Sequence, residues 1–441
     1  MPKRLKFVVF FCFIANFAKA TQDQNYGLGG STTGRVSSVT AEIDNPYAAL
    51  FNPALLAAQS GSLFAFSTAQ AKSTYQPLNS VLVDSAKYRT RDSTPRVENY
   101  TPAETQVTLW TAGFSYPFRL PAYVNRRAGL GLALSGPYSR LRSFNSTTPY
   151  DFVTLRYGNS DSQFKATAAL AAEILPGHLY AGAGISLFIT ASGDADANLI
   201  ADNPTGRLAM DVGLNTAAVA GLFGSWDKNQ LSLVYRQEIH PTLEQKFAGN
   251  VQIDQGAGTV VLPVVLKTSL YYEPHLFEIE WQREFSFGKI SAGVSYQLWS
   301  QYKASYLIVE TPDADEKTRS TILPDIPFKN TLNPRVSVEV PFLNRKLHAC
   351  LGYQYRPSPV VDLSGPGNLL DSDVHVFGAS VQYRLTASEI LPLNTTWAIY
   401  GQYHRMTSRL VEKRDPGFIG APAYEFAGNA MTYGLSVQVE L

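Results

Sequence analysis

Apolar and polar residues alternate along much of this chain, most clearly at its C-terminal end. Residues 431–441 carry Met, Tyr, Leu, Val, Val and Leu at every second position, with Thr, Gly, Ser, Gln and Glu between them. A period of two is that of a β-strand, whose successive side chains point to opposite faces of the sheet. The pattern therefore predicts a strand with one apolar and one polar face, ending in the apolar residue Leu441.

The same period recurs along the whole chain and predicts fifteen strands. Many of these segments reach the roughly 9–11 residues that a tilted strand needs to cross a bilayer. The predicted strands are residues 62–71, 105–117, 128–142, 162–175, 179–191, 207–223, 231–238, 263–272, 276–285, 290–298, 332–341, 347–355, 377–385, 396–408 and 431–441.

The connections between the predicted strands are long and short in turn. Outer-membrane barrels have this alternation, together with an even number of strands. The alternation fails only over 263–299, where we expect one of three strands to be a continuation or a local hairpin. Fourteen antiparallel barrel strands are therefore predicted. The long connections are 72–104, 143–161, 192–206, 241–262, 300–331, 357–372 and 409–428, and the short ones include 176–178, 224–228 and 342–345.

Composition helps to separate a soluble β-sandwich from a transmembrane barrel. The apolar strand faces would form the core of a sandwich, whereas in a membrane barrel they contact lipid and the polar faces line the lumen. Charged residues make up 17% of the chain, and Tyr and Phe number 24 each. Because soluble domains carry about 25% charged residues, this composition favours an all-β transmembrane barrel with aromatic girdles.

The first twenty residues have the features of a secretory signal peptide. Three basic residues precede an apolar run over 7–15, and an Ala-x-Ala cleavage site ends at Ala20. Cleavage there leaves Cys350 as the sole cysteine, so no internal disulfide is expected. After residue 20 no run of about 18 apolar residues remains, so no membrane-spanning helix is expected.

Residues 21–61 do not follow the strand pattern. They are rich in Gly, Ser, Thr and Ala, and Asn-Pro pairs at 45–46 and 52–53 interrupt them. We predict a compact, non-strand segment here, followed by a barrel that comprises residues 62–441.

Several motifs resemble the FadL/TodX family of outer-membrane transporters. Asn52-Pro53-Ala54 lies where a short N-terminal hatch ends in that family, and segments 235–238, 298–302 and 352–360 resemble family motifs in the same order. The resemblance implies a fourteen-stranded monomeric barrel plugged by the hatch, which transports long-chain fatty acids or other hydrophobic small molecules and needs no cofactor. The terminal Leu441 and the strand-like stretch 276–285 depart from the family pattern.

Asn52, Pro53 and Ala54 are predicted to hold the hatch in one closed shape. Proline fixes φ and asparagine can bond to neighbouring backbone groups. The alternative is an ordinary loop turn, because Asn-Pro is a common turn dipeptide.

Ser135, Gly136, Pro137 and Tyr138 interrupt a predicted strand. Proline cannot donate to a strand ladder and glycine weakens strand pairing. By its order in the chain this strand corresponds to the third strand of the family, in which the resemblance implies a kink that opens the wall sideways to lipid. The alternative is an ordinary bulge near one rim of the barrel.

Four basic residues fall in the inward phase of predicted strands. Lys165, Arg236, Arg356 and Arg384 are candidate contacts for the carboxylate of a ligand, as the internal pocket of the family implies. The alternative is that they are solvated or paired with other lumen charges. Cys350 has the same phase and is predicted to be a small filler.

The sequence gives no indication of an enzyme or of a nucleic-acid partner. The six histidines are scattered, and no G-x-S-x-G, H-E-x-x-H, CxxC or phosphate-loop motif is present, so no catalytic or metal-binding residues are predicted. A net charge of +1 offers no basic face to nucleic acid. The remaining alternatives are a general or plugged porin for polar solutes, an adhesin or structural barrel, and a surface enzyme.

Overall fold

The computed structural model describes most of the chain from residue 26 onward. The predicted signal peptide 1–20, residues 21–25 of the predicted hatch and residues 139–142, 162–163 and 270–271 of predicted strands lie outside the described residues. For 189–198, 205–212, 242–252, 259–269 and 308–310 only the backbone is described. The described residues are 26–84, 95–121, 125–138, 151–157, 164–198, 205–240, 242–252, 259–269, 272–302, 308–310, 326–387 and 392–441.

Fourteen antiparallel strands of the described chain form a closed barrel, which confirms the predicted fold. The first strand closes on the last, in a register that runs from Leu63 opposite Glu440 to Tyr75 opposite Gly428. The barrel strands are β1 Leu63–Tyr75, β2 Thr105–Arg119, β3 Arg127–Pro137, β4 Lys165–Leu175, β5 Leu179–Asn198, β6 Thr205–Trp226, β7 Asn229–Arg236, β8 Leu276–Phe285, β9 Gly288–Gln297, β10 Thr331–Phe342, β11 Leu347–Arg356, β12 Val374–Leu385, β13 Asn394–Glu412 and β14 Ala423–Glu440.

Residues 263–269 of the surplus predicted strand, 263–272, belong to a hairpin that is not among the fourteen barrel strands. Thr242–Gln252 pairs with Thr259–Ser269 and also runs parallel to the last part of β5. The stretch 276–285 is an ordinary barrel strand, β8, which pairs with β7 and β9 in unbroken register. A loop hairpin has the same period of two as a wall strand, so periodicity could not tell them apart.

The barrel wall is polar on the inside and apolar on the outside. The inward-facing Glu280 and Ser291 are 0% exposed, whereas the outward-facing Leu170 and Ile399 are 65% and 68% exposed. Apolar surface left in water costs about 25 cal/mol per Å² relative to burial. An apolar outer face of this kind is typical of transmembrane β-barrels.

The two ends of the barrel differ in their connections. Short turns join the strands at the end where β14 finishes, which we call the short-turn end, and longer segments join them at the opposite, long-loop end. Leu343, Asn344 and Arg345 all adopt positive φ, which makes the turn between β10 and β11 tight. The long-loop end carries two small sheets, Leu78–Asp84 with Arg96–Tyr100 and Val153–Thr154 with Leu369–Leu370.

Residues 26–61, called the inner segment below, lie inside the barrel. The segment has three short helices, α1 Gly30–Gly34, α2 Ala48–Phe51 and α3 Leu55–Ala58. Helix α1 contacts β11–β14, whereas α2 and α3 contact β2–β5. No helix in the described part of the chain has the length and hydropathy to cross a membrane.

Candidate functional site

Glycines of the barrel wall make room for the inner segment. A Cβ added at Gly129 would lie 2.2 Å from the Leu56 carbonyl oxygen, and one at Gly182 would lie 2.5 Å from the Pro53 carbonyl carbon. Glycine weakens a strand, so its use at such positions marks a close backbone approach. No pattern in the sequence marks these two glycines as contact positions. Seven glycines, on six strands, would each bring an added Cβ within 3 Å of the inner segment: Gly113, Gly129, Gly131, Gly182, Gly221, Gly352 and Gly378.

The predicted Asn52-Pro53-Ala54 motif lies against β5 and β6. The Asn52 side-chain amide donates to the Thr40 carbonyl at 2.9 Å and to the Leu222 carbonyl at 3.3 Å. Its oxygen accepts a hydrogen bond from the Ala54 amide at 3.1 Å. Asn52 therefore joins two parts of the inner segment to each other and to the wall.

Arg35 attaches the inner segment to β8 and β9. Its side chain is 1% exposed and pairs with Glu42 of the same segment. The guanidinium also donates to Gln282 at 2.7 Å and to Ser291 at 2.6 Å. Lys289 of β9 contacts Glu42 at 2.9 Å and adds a second cation to this carboxylate.

Glu280 of β8 provides a second attachment beside Arg35. Its carboxylate accepts a hydrogen bond from the Ser38 hydroxyl at 3.1 Å and from the Ala41 amide at 3.2 Å. Arg335 of β10 balances its charge at 2.9 Å. A buried carboxylate needs such partners, so the inner segment completes a charge network that starts in the wall. Sequence reasoning missed this network.

The contacts on the other side of the inner segment are apolar. Leu50, Leu55 and Leu56 belong to a buried cluster with residues of β1, β3, β4, β5 and β6. The wall contributes Ala65, Ala133, Ala169, Ala171, Tyr180 and Phe223 to this cluster. The inner segment is thus attached by ion pairs on one side and by side-chain packing on the other.

A second apolar cluster fills the long-loop end, and we call it the loop-end apolar cluster. It joins inward side chains of β1, β2 and β12–β14 to loop residues such as Leu78, Tyr157 and Leu370. Tyr26 and Val36 of the inner segment also belong to it. Its wall residues are Ala69, Ala71, Tyr75, Val107, Leu109, Val374, Val376, Tyr400, Met406, Val411, Tyr424, Phe426 and Ala430.

Three arginines lie on the other half of the lumen wall. Arg236 of β7, Arg335 of β10 and Arg356 of β11, called the arginine group below, line one small cavity together with Phe51 of the inner segment. Arg335 pairs with Glu278, and the Arg236 guanidinium lies 3.9 Å from the same carboxylate. The interior is therefore apolar around the loop-end apolar cluster and polar, with paired charges, around the arginine group.

The four predicted lumen cations do not form one site. Arg236 and Arg356 line the same cavity. Lys165 is buried elsewhere and pairs with Glu273 at 3.1 Å. Arg384 lies near the short-turn end, where its half-exposed side chain pairs with Glu440 at 2.6 Å. Cys350 is 1% exposed and accepts a hydrogen bond from the Gln382 amide at 3.3 Å. These are the contacts of a small side chain that fills space on the polar side of the wall.

The segment 135–138 interrupts strand pairing on one side only. β3 pairs with β2 as far as Pro137, with no shift of register. Pairing with β4 ends at Ser135, which lies opposite Lys165. The Tyr138 amide donates to the Thr108 carbonyl of β2 at 2.9 Å. Gly136 and Pro137 thus remain attached to β2 while they are no longer paired with β4.

Comparisons with solved structures show the same architecture. A Pseudomonas aeruginosa FadL homologue superposes with a TM-score of 0.60 at 12% identity, covering 97% of this chain and 100% of that one. The Ralstonia pickettii toluene transporter TbuX gives 0.48 at 11% identity, covering 94% and 98%, and the Pseudomonas putida toluene transporter TodX gives 0.46 at 12%, covering 97% and 99%. No family model and no curated protein sequence matches the chain. We infer the shared fold from the first of these structures alone. This likeness confirms the predicted FadL-type barrel architecture.

Proposed function

We propose that this chain, which has the fold of a FadL-type barrel, is a passive conduit for hydrophobic small molecules across a bacterial outer membrane. The observation that carries the proposal is the divided interior, in which the loop-end apolar cluster and the arginine group lie in different parts of the lumen. A long-chain fatty acid has the same division, with an apolar tail and a carboxylate. Arginine binds carboxylates through charge-assisted hydrogen bonds, and an apolar surface removes the tail from water. We propose Arg236 and Arg356 as carboxylate contacts, and we expect a monomer that needs no cofactor.

Transport through this interior requires the inner segment to move as a hatch. The alanine-rich side of the segment is held by packing, whereas the side at Arg35 is held by directional bonds. Movement would therefore begin at the packed side and use the Arg35 side as a pivot. Asn52, Pro53 and Ala54 set the resting shape, because the two hydrogen bonds of the Asn52 amide depend on the turn that Pro53 fixes.

We propose that the ligand leaves sideways between β3 and β4. The two strands are paired up to Ser135 and Lys165, and Gly136 and Pro137 lie beyond the last pair. A gap there would deliver an apolar molecule into the hydrocarbon layer without its return to water. Passage to the short-turn end would instead lead past buried carboxylates and hydroxyls such as Glu280 and Ser291.

Uptake by proteoliposomes tests this function. Purified protein in liposomes should take up radiolabelled palmitate saturably and should pass little labelled sucrose. Pro53→Ala, and a Gly136→Val/Pro137→Val variant that extends strand pairing, should each slow palmitate uptake several-fold. Pro121→Ala, at an exposed position in a short turn, is the matched control and should behave as the unchanged protein. Free passage of sucrose without saturable palmitate uptake would instead establish a porin.

A further inference from the structure

The outer face of the barrel carries a pocket near the long-loop end, where β13, β14 and β1 adjoin. Its volume of about 470 Å³ is within the roughly 300–1,000 Å³ of small-molecule sites. Successive side chains of a strand point to opposite faces, and His404, between Tyr403 and Arg405, is fully buried. The pocket therefore opens on the outer face of the wall. Its lining includes Thr74, Tyr403, Arg405, Glu425 and Asn429.

A bulge in β13 shapes this pocket. The pairing of β13 with β14 shifts by one residue between Met406 and Arg409, so that two residues of β13 oppose the single residue Ala427 of β14. A bulge bends its strand and changes the direction of the neighbouring side chains. Ala427 has a small side chain and lines the pocket at this level. The pocket is therefore set by the backbone of two paired strands.

The pocket holds one cation and one anion. Arg405 of β13 lies directly opposite Asn429 of β14, and Glu425 lies four residues from Asn429 towards the long loops. Both charged side chains are exposed. Among the residues that the structure describes, neither has a partner of opposite charge, and Glu425 accepts a hydrogen bond from the Ser408 hydroxyl. Two opposite charges that share a pocket without pairing are suited to a zwitterionic ligand.

The cation lies just beyond a row of aromatic and apolar side chains. Tyr403 is directly opposite Phe377 of β12 on one side and Met431 of β14 on the other. The three side chains are between 43% and 51% exposed. Aromatic girdles mark the membrane–water interfaces of outer-membrane barrels. Arg405, two residues further towards the long loops, is therefore expected at the level of lipid headgroups, with Glu425 further from the bilayer.

We propose that this pocket binds the phosphoethanolamine headgroup of a membrane lipid, with the phosphate on Arg405 and the ammonium on Glu425. The order of the two charges fits this headgroup, because its phosphate adjoins the acylated part of the lipid and its amine is the terminal group. Arginine forms charge-assisted hydrogen bonds with phosphate. Of the proposed function the inference uses only the membrane location, and it does not depend on the molecule that passes through the lumen.

The spacing and the remaining donors suit this ligand. Four residues of an antiparallel strand span about 14 Å at roughly 3.4 Å per residue, and the long side chains of Arg405 and Glu425 extend into this span from its two ends. The side-chain oxygen of Asn429 accepts a hydrogen bond from the Thr74 hydroxyl at 2.9 Å, so its amide group can donate to a phosphate oxygen. A choline headgroup cannot donate a hydrogen bond to Glu425, and a glycerol headgroup carries no cation.

Lipid binding to the full chain in detergent micelles, measured by native mass spectrometry, tests the proposal. The probes are dioleoyl phosphatidylethanolamine, phosphatidylcholine and phosphatidylglycerol, which share acyl chains and a phosphate and differ in the terminal group. We expect the Kd for phosphatidylethanolamine to be about tenfold lower than the other two, because a hydrogen bond between charged groups has about this strength. Glu425→Gln should remove this preference, whereas Arg405→Met should raise all three Kd values about tenfold.

Two variants serve as matched controls. Glu412→Gln removes another exposed carboxylate, on β13, and Lys72→Met removes a half-exposed cation on β1. Neither residue lines the pocket, so both variants should keep the preference for phosphatidylethanolamine. Soluble glycerophosphoethanolamine has the headgroup without acyl chains and should compete only weakly. Competition as strong as that of the lipid would assign the pocket to a soluble ligand and overturn the proposal.

Two further results would overturn the proposal. One is equal binding of the three lipids to the unchanged protein, and the other is a preference that survives in Glu425→Gln together with unchanged binding to Arg405→Met. Because both side chains are exposed, the unfolding midpoints of these variants should equal that of the unchanged protein. Palmitate uptake by liposomes should also be the same in Arg405→Met, so that a failure of transport and a failure of lipid binding are observed separately.

Discussion

The hydroxyl of Tyr157 lies 2.8 Å from Nδ1 of His404, and this bond connects a loop at the long-loop end to the interior of the wall. Nε2 of His404 donates to the Gln402 oxygen at 3.2 Å, and the Gln402 amide donates to the Thr33 carbonyl of the inner segment at 3.3 Å. If Nε2 carries the proton, Nδ1 accepts the Tyr157 hydrogen bond. A chain of three hydrogen bonds thus leads from the loop to helix α1.

Tyr157→Phe should loosen this connection. The change removes one hydrogen bond to a fully buried histidine, at a cost of about 1–3 kcal/mol for the acceptor left unsatisfied. We expect a lower thermal unfolding midpoint and faster proteolysis of the long-loop end. Tyr403→Phe is the control. Tyr403 is next to His404 on β13, but its side chain is 43% exposed. Equal effects of the two changes would show that the connection does not stabilise the protein.

Gly221→Ala should displace the inner segment. A Cβ at this position would lie 2.0 Å from the side-chain oxygen of Asn52, too close for the motif to keep its place. Gly224→Ala on the same strand is a matched control, because its Cβ would meet Trp226 and the His178 carbonyl oxygen at ordinary contact distances of 3.5 and 3.8 Å. We expect only the first change to expose residues 52–54 to limited proteolysis and to lower the unfolding midpoint. If Gly221→Ala leaves the proteolysis pattern unchanged, Asn52 does not pack closely against Gly221.

The barrel could be predicted from the sequence because each strand is specified by a local pattern of apolar and polar residues. Alternation at a period of two shows which face of a segment is apolar, and it located β8 and β14 from a few residues each. The same local signal cannot show whether a strand joins the wall or a loop hairpin, so 263–272 was indistinguishable from a barrel strand.

The candidate site depends on residues that are far apart in the chain. The inward phase of Lys165 could be predicted, but its partner Glu273 lies 108 residues away, and the two meet only when the barrel closes. Arg35 reaches Gln282 in the same way, 247 residues along the chain. A glycine such as Gly221 has no sequence signal that separates a bulge from a close approach of backbone. These pairings therefore required the three-dimensional structure.

Acidification should break the hydrogen bonds and the ion pair that Asp362 forms in its loop. Hydrogen bonds from the Ser364 amide and hydroxyl lower the pKa of this exposed carboxyl, and an ion pair of 2.5 Å with Arg414 adds to the effect. Because the pKa of the folded state is below that of the unfolded chain, the contribution is fully present above the unfolded value of about 3.9 and is lost as pH falls through the folded value. We expect faster proteolysis of the 357–373 loop below about pH 3.9. Asp362→Asn should remove this pH dependence, and a dependence that persists in the variant would refute the assignment.

The last prediction concerns Arg35, which supports the inner segment from the side opposite the alanine-rich packing. Arg35→Met should leave Glu42 with Lys289, deprive the Ser291 hydroxyl of its donor and leave the Gln282 oxygen with the hydrogen bond from Ser291. Breaking a buried ion pair by removal of one partner costs about 3–5 kcal/mol, enough to loosen a segment whose remaining bonds to β8 are those that Glu280 accepts from Ser38 and Ala41. We expect higher single-channel conductance to small ions in planar bilayers, since a displaced segment opens the polar side of the lumen.

Arg384→Ala is the matched control for this measurement. It removes an ion pair of 2.6 Å with Glu440, but its side chain is 46% exposed, so the pair contributes about 1 kcal/mol at most. Its conductance should equal that of the unchanged protein. The double variant Arg35→Met/Glu42→Gln also removes the carboxylate that loses its arginine partner, so it should recover part of the lost stability. It cannot restore the bonds to β8 and β9, so it should remain conductive. A closed, fully stable Arg35→Met barrel would show instead that packing against β2–β5 alone retains the inner segment, and the pivot would then lie on that side of the lumen.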